Sequence, residues 1–483
     1  MKKLLSILAI VVCLLLIIII TKTIVFKSVQ TGEETAPIPV FGNESVLHLS
    51  EAVRFPTISY SAGSPIDTVA FTGFENFLSE AYPMVHSKLK KEVFSGFSLL
   101  YTWEGKNRNL KPVILTAHLD VVPAGETGSW TNPPFSGVND GAFIWGRGTL
   151  DDKASLISIM ESVEKLLSEN YQPERTIYLA FGHDEEILGQ RGAAVIAATL
   201  KERGVDAEFV IDEGYAVTIG MVPMISKPVA LVGISEKGYL SVNMTVEMEG
   251  GHPAYPAKES AITILSKAVD NIVSNQMKTN ISEPVNEFIS YIGPEMPFYA
   301  RAIFANKWLF KGLILNIYEG GRSSNALVRT TTAPTIFNAG MKDNVIPSKA
   351  EAVVNFRILP GETSDNVIAH LKKTIGDDRV KIIKLEGFRE PAVVSPVDVP
   401  GFRIINKTIR QVYPEAIVAP TMMLAASDSR KYNEISKNIY NFAPIIVNQE
   451  DLARTHGLNE RNKIEDFKRG IGFYYLLIIN CDK

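Results

Sequence analysis

The chain has 483 residues, 46% apolar and 21% charged, with 34 Gly and 26 Pro. These values lie in the ordinary globular range and exclude a wholly disordered chain, a collagen and a polytopic membrane protein. Lys and Arg number 49 against 53 Asp and Glu, a net charge of −4, so no global field recruits nucleic acid.

Met1-Lys2-Lys3 precedes an apolar run from Leu4 to Ile20, interrupted only by Ser6 and Cys13. At about 1.5 Å per residue the run reaches about 26 Å, marginally enough to cross a bilayer. No small-x-small cleavage site follows it, and Lys22 and Lys27 can snorkel at its far end. The expectation is an uncleaved signal anchor over residues 1–27, a single pass with the body outside the cytosol. A cleaved leader would instead give a secreted protein. Residues 28–45, with Gly32, Glu33, Glu34, Pro37 and Pro39, read as a linker.

From about residue 46, helical stretches alternate with short apolar runs. The runs are Pro112 to Ala117, Thr176 to Phe181 and Glu208 to Ile211; the helical stretches are 153–169 and 190–203. This alternation predicts an α/β domain with a mostly parallel sheet over 46–236. Ligands bind beyond the carboxyl ends of such strands, and each run ends in His or acidic residues. From residue 237 the pattern changes. Leu240, Val242, Met244, Val246 and Met248 alternate with polar residues, as do Ala350, Ala352, Val354, Phe356 and Ile358. With helices at 259–274 and 364–375, these predict an inserted α+β domain over 237–389. The α/β character resumes over 390–483.

Chemistry concentrates at the strand ends. In His118-Leu119-Asp120, residues i and i+2 share a strand face, so Asp120 can fix the imidazole tautomer. In Gly146 to Lys153, Asp151 or Asp152 suits a helix N-cap, but adjacent carboxylates repel unless a cation lies among them. Asp184-Glu185-Glu186 follows a strand directly and reads either as a solvated acidic turn or as a metal ligand beside a general base. Asp212-Glu213-Gly214 is a third acidic strand end, and His456-Gly457-Leu458-Asn459-Glu460 supplies a late histidine. Cys13 lies in the leader and leaves Cys481 alone in the body, so neither a disulfide framework nor a Cys-ligated zinc is available. A hard-ligand site of His, Asp and Glu remains, suited to two zinc ions, with cobalt or manganese as alternatives.

These motifs, in this order, resemble the zinc-dependent metallopeptidase family 20. The likeness spans nearly all of residues 46–483. Its carriers are Thr116 to Asp120, Trp130 to Phe135, Gly146 to Lys153, Gly182 to Glu186, Asp212 to Gly214, Gly250-Gly251-His252, Asn344 with Arg357, and His456 to Glu460. The resemblance implies a zinc-exopeptidase-like catalytic domain and a lid/dimerisation domain, hence a homodimer. It implies that His118 and Asp212 hold one zinc, that Glu186 and His456 hold the other, and that Asp151 bridges them. Asp120 would orient His118, Glu185 would be general base and acid, and the Asp151–Asp152 peptide bond would be cis. His252 would polarise the scissile carbonyl, often across a dimer interface in relatives, although Pro253-Ala254 stands where the family usually has Ser-Ser. Asn344 and Arg357 would grip a substrate carboxylate, for which the planar guanidinium is suited. Arg430, in Ser427-Asp428-Ser429-Arg430, would lie near the substrate.

Pro294 to Phe310, Asn325 to Thr332 and Phe337 to Gly340 point to the carboxypeptidase S and N-fatty-acyl-amino-acid synthase/hydrolase branch. The large apolar residues of 294–318 read as lid core, or as a wall for an acyl chain or a membrane surface. The implied activity is hydrolysis of the amide bond next to a C-terminal amino acid with a free carboxylate, by metal-bound water activated by Glu185. The substrate would be an N-acyl amino acid or a short peptide. Two alternatives stand beside it: a catalytically silent binding protein on the same fold, and an aminopeptidase, which needs an acidic anchor where this chain has Asn344 and Arg357.

Overall fold

The computed structural model describes every residue except 31, 33, 34 and 483. Glu33 and Glu34 of the expected linker therefore lie outside the described residues. The chain forms two compact units. One comprises Met1–Phe26, Ser235–Ser290 and Phe298–Val394; the other comprises Lys27–Ile234, Tyr291–Pro297 and Ser395–Lys483.

The second unit is built on a ten-stranded mixed sheet. Its centre is parallel: Val113–His118 lies between Ile177–Gly182 and Phe209–Asp212, and Ile439–Asn441 extends it in the same sense. All six residues of Val113–His118 are buried. A strand covered on both faces favours apolar side chains at successive positions, which explains the run Val113-Ile114-Leu115. On one face, Ile114, Ala180 and Val210 pack with Ala193, Ile196 and Leu200 of the helix Ala193–Glu202. On the other face lies Lys153–Ser168, which packs along Ile464–Asn480. The parallel strands end level, with His118 opposite Gly182, so their acidic C-terminal extensions emerge together.

The first unit carries a four-stranded antiparallel sheet, in the order Thr331–Ala339, Lys349–Ile358, Gly238–Glu247, Lys381–Lys384. Alternation decides its faces. Leu240, Val242, Met244 and Val246 join Ala350, Ala352, Val354, Phe356 and Ile358 in a core closed by Ile264, Leu265, Leu371 and Ile375. The helices Ala261–Ser274 and Ser364–Ile375 supply that cover, and each starts at a capping box, on Ser260 and Thr363. Met248 falls just past its strand and is only partly buried. Further helices, Glu283–Ile292, Phe298–Ala305 and Lys307–Glu319, stand between the two halves of the sheet in sequence. Among the described residues one helix, Lys2–Val25, is long and apolar enough to cross a membrane by length and composition.

Candidate metal centre

The site grows from the carboxyl ends of the parallel strands of the second unit. After Ile177–Gly182 the chain turns through the short 3-10 segment Glu185–Ile187. Two buried aspartates hold that turn. The Asp120 carboxylate accepts the backbone N–H groups of Glu185 at 3.1 Å and Glu186 at 3.2 Å. Asp184 accepts those of Arg191 at 2.7 Å and Gly192 at 2.8 Å. Gly189, at φ +62°, passes so close to the buried Asp428 that an added Cβ would stand 1.8 Å from its Oδ1. Only glycine fits there. Asp120 thus does more than the sequence suggests. Its backbone carbonyl lies 2.9 Å from His118 Nδ1 and its carboxylate 3.4 Å away, so it orients the imidazole and the Glu185-Glu186 pair at once.

Asp151 occupies the middle of the cluster. Its Oδ1 lies 2.9 Å from His118 Nε2, and its Oδ2 lies 2.9 Å from His456 Nε2. Glu186 Oε2 is 3.4 Å from the same His456 nitrogen. Two groups result, each with ligand atoms within 4.8 Å of one another: His118, Asp151 and Glu213, and Asp151, Glu186 and His456. The Asp151–Asp152 bond is cis.

Asp212 requires a correction. The structure puts Glu213, not Asp212, with His118 and Asp151. Asp212 is the last residue of its strand, and its Oδ1 accepts the Thr116 hydroxyl of the neighbouring strand at 2.5 Å. Side chains alternate along a strand, so the next residue points the other way. The Glu213 carbonyl is held by Asn441 Nδ2 at 3.0 Å.

Glu460 is the residue that motif reasoning left without a role. It is fully buried. Its Oε1 accepts the N–H groups of Gly148, Leu150 and Asp151 at 3.0, 2.7 and 3.3 Å, and Oε2 accepts Arg147 Nη1 at 2.5 Å. Arg147 Nη2 reaches the Gly457 carbonyl at 2.9 Å. One carboxylate therefore ties the loop bearing Asp151 to the loop bearing His456. Its place in the His456 motif was the available signal.

The electrostatics are those of a crowded anionic cage. Burial pushes the Glu185 and Glu213 carboxyls well above the usual range, and neighbouring acids add to it. Burial also opposes ionisation of Asp151, but His118 and His456 outweigh it and hold Asp151 low. Hydrogen bonding to Asp151 and Glu186 lifts His456 to about 10. Buried oxygens remain without a hydrogen-bond partner, among them Glu186 Oε1 and Asp212 Oδ2. A hard oxygen and nitrogen donor set sharing one two-sided carboxylate, with an orphaned carboxylate oxygen, fits a pair of divalent cations.

Arg430 is half-buried in the 3-10 segment Asp428–Glu434. His252, Asn344 and Arg357 belong to the first unit. His252 is exposed in a turn, its Nδ1 accepting the Ala254 N–H at 3.1 Å. Gly251 bridges Ile346, which brings the exposed Asn344 loop to the same end of the sheet. Arg357 lies near the far end of Lys349–Ile358, exposed, with its guanidinium 5.0 Å from the Tyr239 ring centre. From Lys349 to Arg357 the strand rises about 27 Å, at about 3.4 Å per residue. One copy of the chain therefore does not bring Asn344 and Arg357 to a single carboxylate, as their pairing in sequence had implied.

Comparison with known proteins bears on this geometry. Residues 114–480 match Peptidase family M20/M25/M40. The chain is 42% identical over 444 residues to the probable carboxypeptidase S-like 2 of Dictyostelium discoideum, covering 91% of this chain and 85% of that one. It is 40% identical over 440 residues to the N-fatty-acyl-amino acid synthase/hydrolase PM20D1 of Mus musculus, covering 90% and 87%. Among solved structures it is similar in fold to the M20 family metallo-carboxypeptidase Sso-CP2 from Sulfolobus solfataricus, with a TM-score of 0.67 at 18% identity, covering 91% of this chain and all of that one (100%). With a family match over most of its length and relatives of that identity, the chain belongs to peptidase family M20/M25/M40 and is a metallohydrolase.

Proposed function

We propose that the chain is a dizinc amidohydrolase that releases an amino acid with a free α-carboxylate from an N-acyl amino acid or a short peptide. The observation that carries this reading is Asp151, whose two oxygens face His118 and His456 separately. His118, Asp151 and Glu213 would hold one cation, and Asp151, Glu186 and His456 the other. When bound, the cations supply Lewis acidity to the scissile carbonyl and lower the pKa of a water. Glu185 takes the proton from the attacking water and returns it to the leaving amine. Its carboxyl, raised by burial, suits a group that must both accept and donate near neutral pH.

His252 would donate to the developing oxyanion, and Arg357 would pair the substrate carboxylate through its fork. Because Asn344 and Arg357 stand at opposite ends of one strand, a complete substrate site would draw on two copies. The edge strand Thr331–Ala339, exposed from Ala333 onward, supports a homodimer through this sheet. The helix Lys2–Val25 would anchor the protein with its body outside the cytosol. The fatty-acyl activity named for the mouse relative and the peptidase named for the Dictyostelium relative favour, respectively, long-chain N-acyl amino acids and dipeptides as substrates.

The test uses the full chain in detergent, loaded with zinc. Release of free amino acid would be followed from long-chain N-acyl amino acids, from dipeptides, and from the C-terminal amide of each. The proposal expects turnover of the free acids and little of the amides. Equal turnover of acid and amide would remove the carboxylate grip. Turnover only of substrates with a free amino group would favour an aminopeptidase.

A further inference from the structure

The helix Phe298–Ala305 packs beside the long apolar helix within the first unit, and Lys307–Glu319 packs on Phe298–Ala305 in turn. The joint between them is Asn306, fully buried. Its Nδ2 donates to the Ala302 carbonyl at 2.9 Å and to the Ile19 carbonyl of the apolar helix at 3.2 Å, with Thr23 Oγ1 at 3.5 Å. Thr23 is the one buried residue of that helix. Trp308 donates its indole N–H to Asn306 Oδ1 at 3.3 Å, and Lys22 Nζ lies 5.3 Å from the centre of the Trp308 ring.

This contact has a depth. Ile19 precedes the helix end at Val25 by about 9 Å of rise, in a helix about 36 Å long. A hydrocarbon core is about 30 Å thick. The apolar run ends at Ile20, one residue after Ile19, and Lys22 is the first charge beyond it, so Asn306 and Trp308 sit at the level where a spanning helix leaves the hydrocarbon. An interhelical hydrogen bond from a buried amide is the kind of contact that joins helices in lipid.

The two helices are also two-sided. Ile314 is buried, in a small core with Val285, Ile289 and Val328. Phe298, Tyr299, Trp308 and Ile317 are 59%, 64%, 55% and 58% exposed. Large apolar and amphipathic aromatic side chains at this density are costly in water and favourable at a lipid headgroup boundary, where Trp and Tyr concentrate. Residues 298–319 contain Arg301, Lys307 and Lys311 against Glu319 alone, a basic balance that complements anionic headgroups.

We propose that the helix pair Phe298–Glu319 docks into the interfacial layer of a bilayer, with Phe298, Tyr299 and Trp308 among the lipids and Asn306 bonding it to the spanning helix. The proposal rests on the membrane-anchor reading of Lys2–Val25. It makes the inserted segment a membrane-resident part of the folded body and not merely a tethered one.

The test uses the full chain reconstituted into phosphatidylcholine/phosphatidylglycerol vesicles carrying acyl chains brominated at a shallow or a deep position. Bromine quenches tryptophan on contact. The chain has four tryptophans, and Trp103 and Trp130 are buried in the other unit, so the emission lost in Trp308→Phe isolates Trp308. The expected result is that shallow bromine quenches the Trp308-dependent emission about twofold or more, and more strongly than deep bromine. Protein that floats with the vesicles but whose Trp308-dependent emission is unquenched would overturn the docking while leaving the anchor intact. Protein that does not float with the vesicles would overturn the anchor reading, and the docking with it.

Discussion

Glutamate 460 gives the sharpest test of how the metal loops are held. Glu460→Gln keeps the shape and removes the charge. One oxygen of Glu460 now accepts three backbone N–H groups and the other accepts Arg147. In the variant, the amide NH2 must face either the three donors or the guanidinium, and neither can accept from it. The buried Arg147 charge also loses its partner. Removing one member of a buried pair costs about 3–5 kcal/mol, a large share of the stability of about 5–15 kcal/mol that a domain usually has. Because the loop carries Asp151, metal retention should fall with it, by the roughly 10–100-fold typical of lost support to a ligand. Denaturant unfolding and metal content after dialysis read the two effects separately. Arg147→Met combined with Glu460→Met sharpens the result. It removes the ion pair from both sides, yet leaves the amides of Gly148, Leu150 and Asp151 unpartnered at about 1–3 kcal/mol each, so the double variant should also be destabilised. Glu460→Gln within about 1 kcal/mol of the parent, with unchanged metal content, would refute the clamp.

Other consequences can be checked alongside. Asp120→Ala removes the acceptor for the Glu185 and Glu186 amides; kcat should fall about 10–100-fold while KM changes little, and an unchanged kcat would show that the turn holds itself. Zinc binding should release protons at neutral pH. In the metal-free protein, Asp151 and Glu186 hold His456 at about 10, so that ring is protonated at pH 7 and must lose its proton to bind. The proton's contribution to metal-free stability is therefore full below about 6.5, the unfolded value, and is lost as pH rises through about 10. Apparent zinc affinity should climb with pH over that window by up to about tenfold per unit for each proton displaced. Calorimetry in buffers of different ionisation heat measures this release, and His456→Ala should lower it by about one proton. Finally, Asn344→Ala and Arg357→Ala chains, each inactive alone, should regain part of the activity when co-expressed, because mixed dimers assemble one intact site. Absence of any recovery would argue that each copy works alone.

How far the sequence carries depends on which part of the architecture is asked about. Contiguous, periodic features were legible. The run ending at His118 is apolar because both faces of its strand are covered, and the alternation from Leu240 to Val246 and from Ala350 to Ile358 marks one buried sheet face. Features set by a single register step were not. Asp212 and Glu213 are adjacent acids, and only the strand's last position decides which one meets His118. Contacts between distant segments were equally hidden. Glu460 serves residues some 310 positions away; its place in the His456 motif marks it, but nothing local names those partners. Asn344 and Arg357 looked like partners because they share a motif, but the intervening residues form an extended strand, which separates them. The Asn306 contact with Ile19 joins segments 287 positions apart and follows from no periodicity.

In the proposed reaction, Glu185 performs the proton transfer beside a pair of cations that it does not itself hold. The decisive measurement is Glu185→Gln in the full chain, with metal content and hydrolysis of the best free-acid substrate determined on one preparation. The account predicts two divalent cations per chain in both proteins and a loss of kcat of about 10²–10⁴-fold in the variant. A variant that keeps both metals and near-parental turnover, or a parent protein that holds two metals and hydrolyses none of the amides offered, would contradict it.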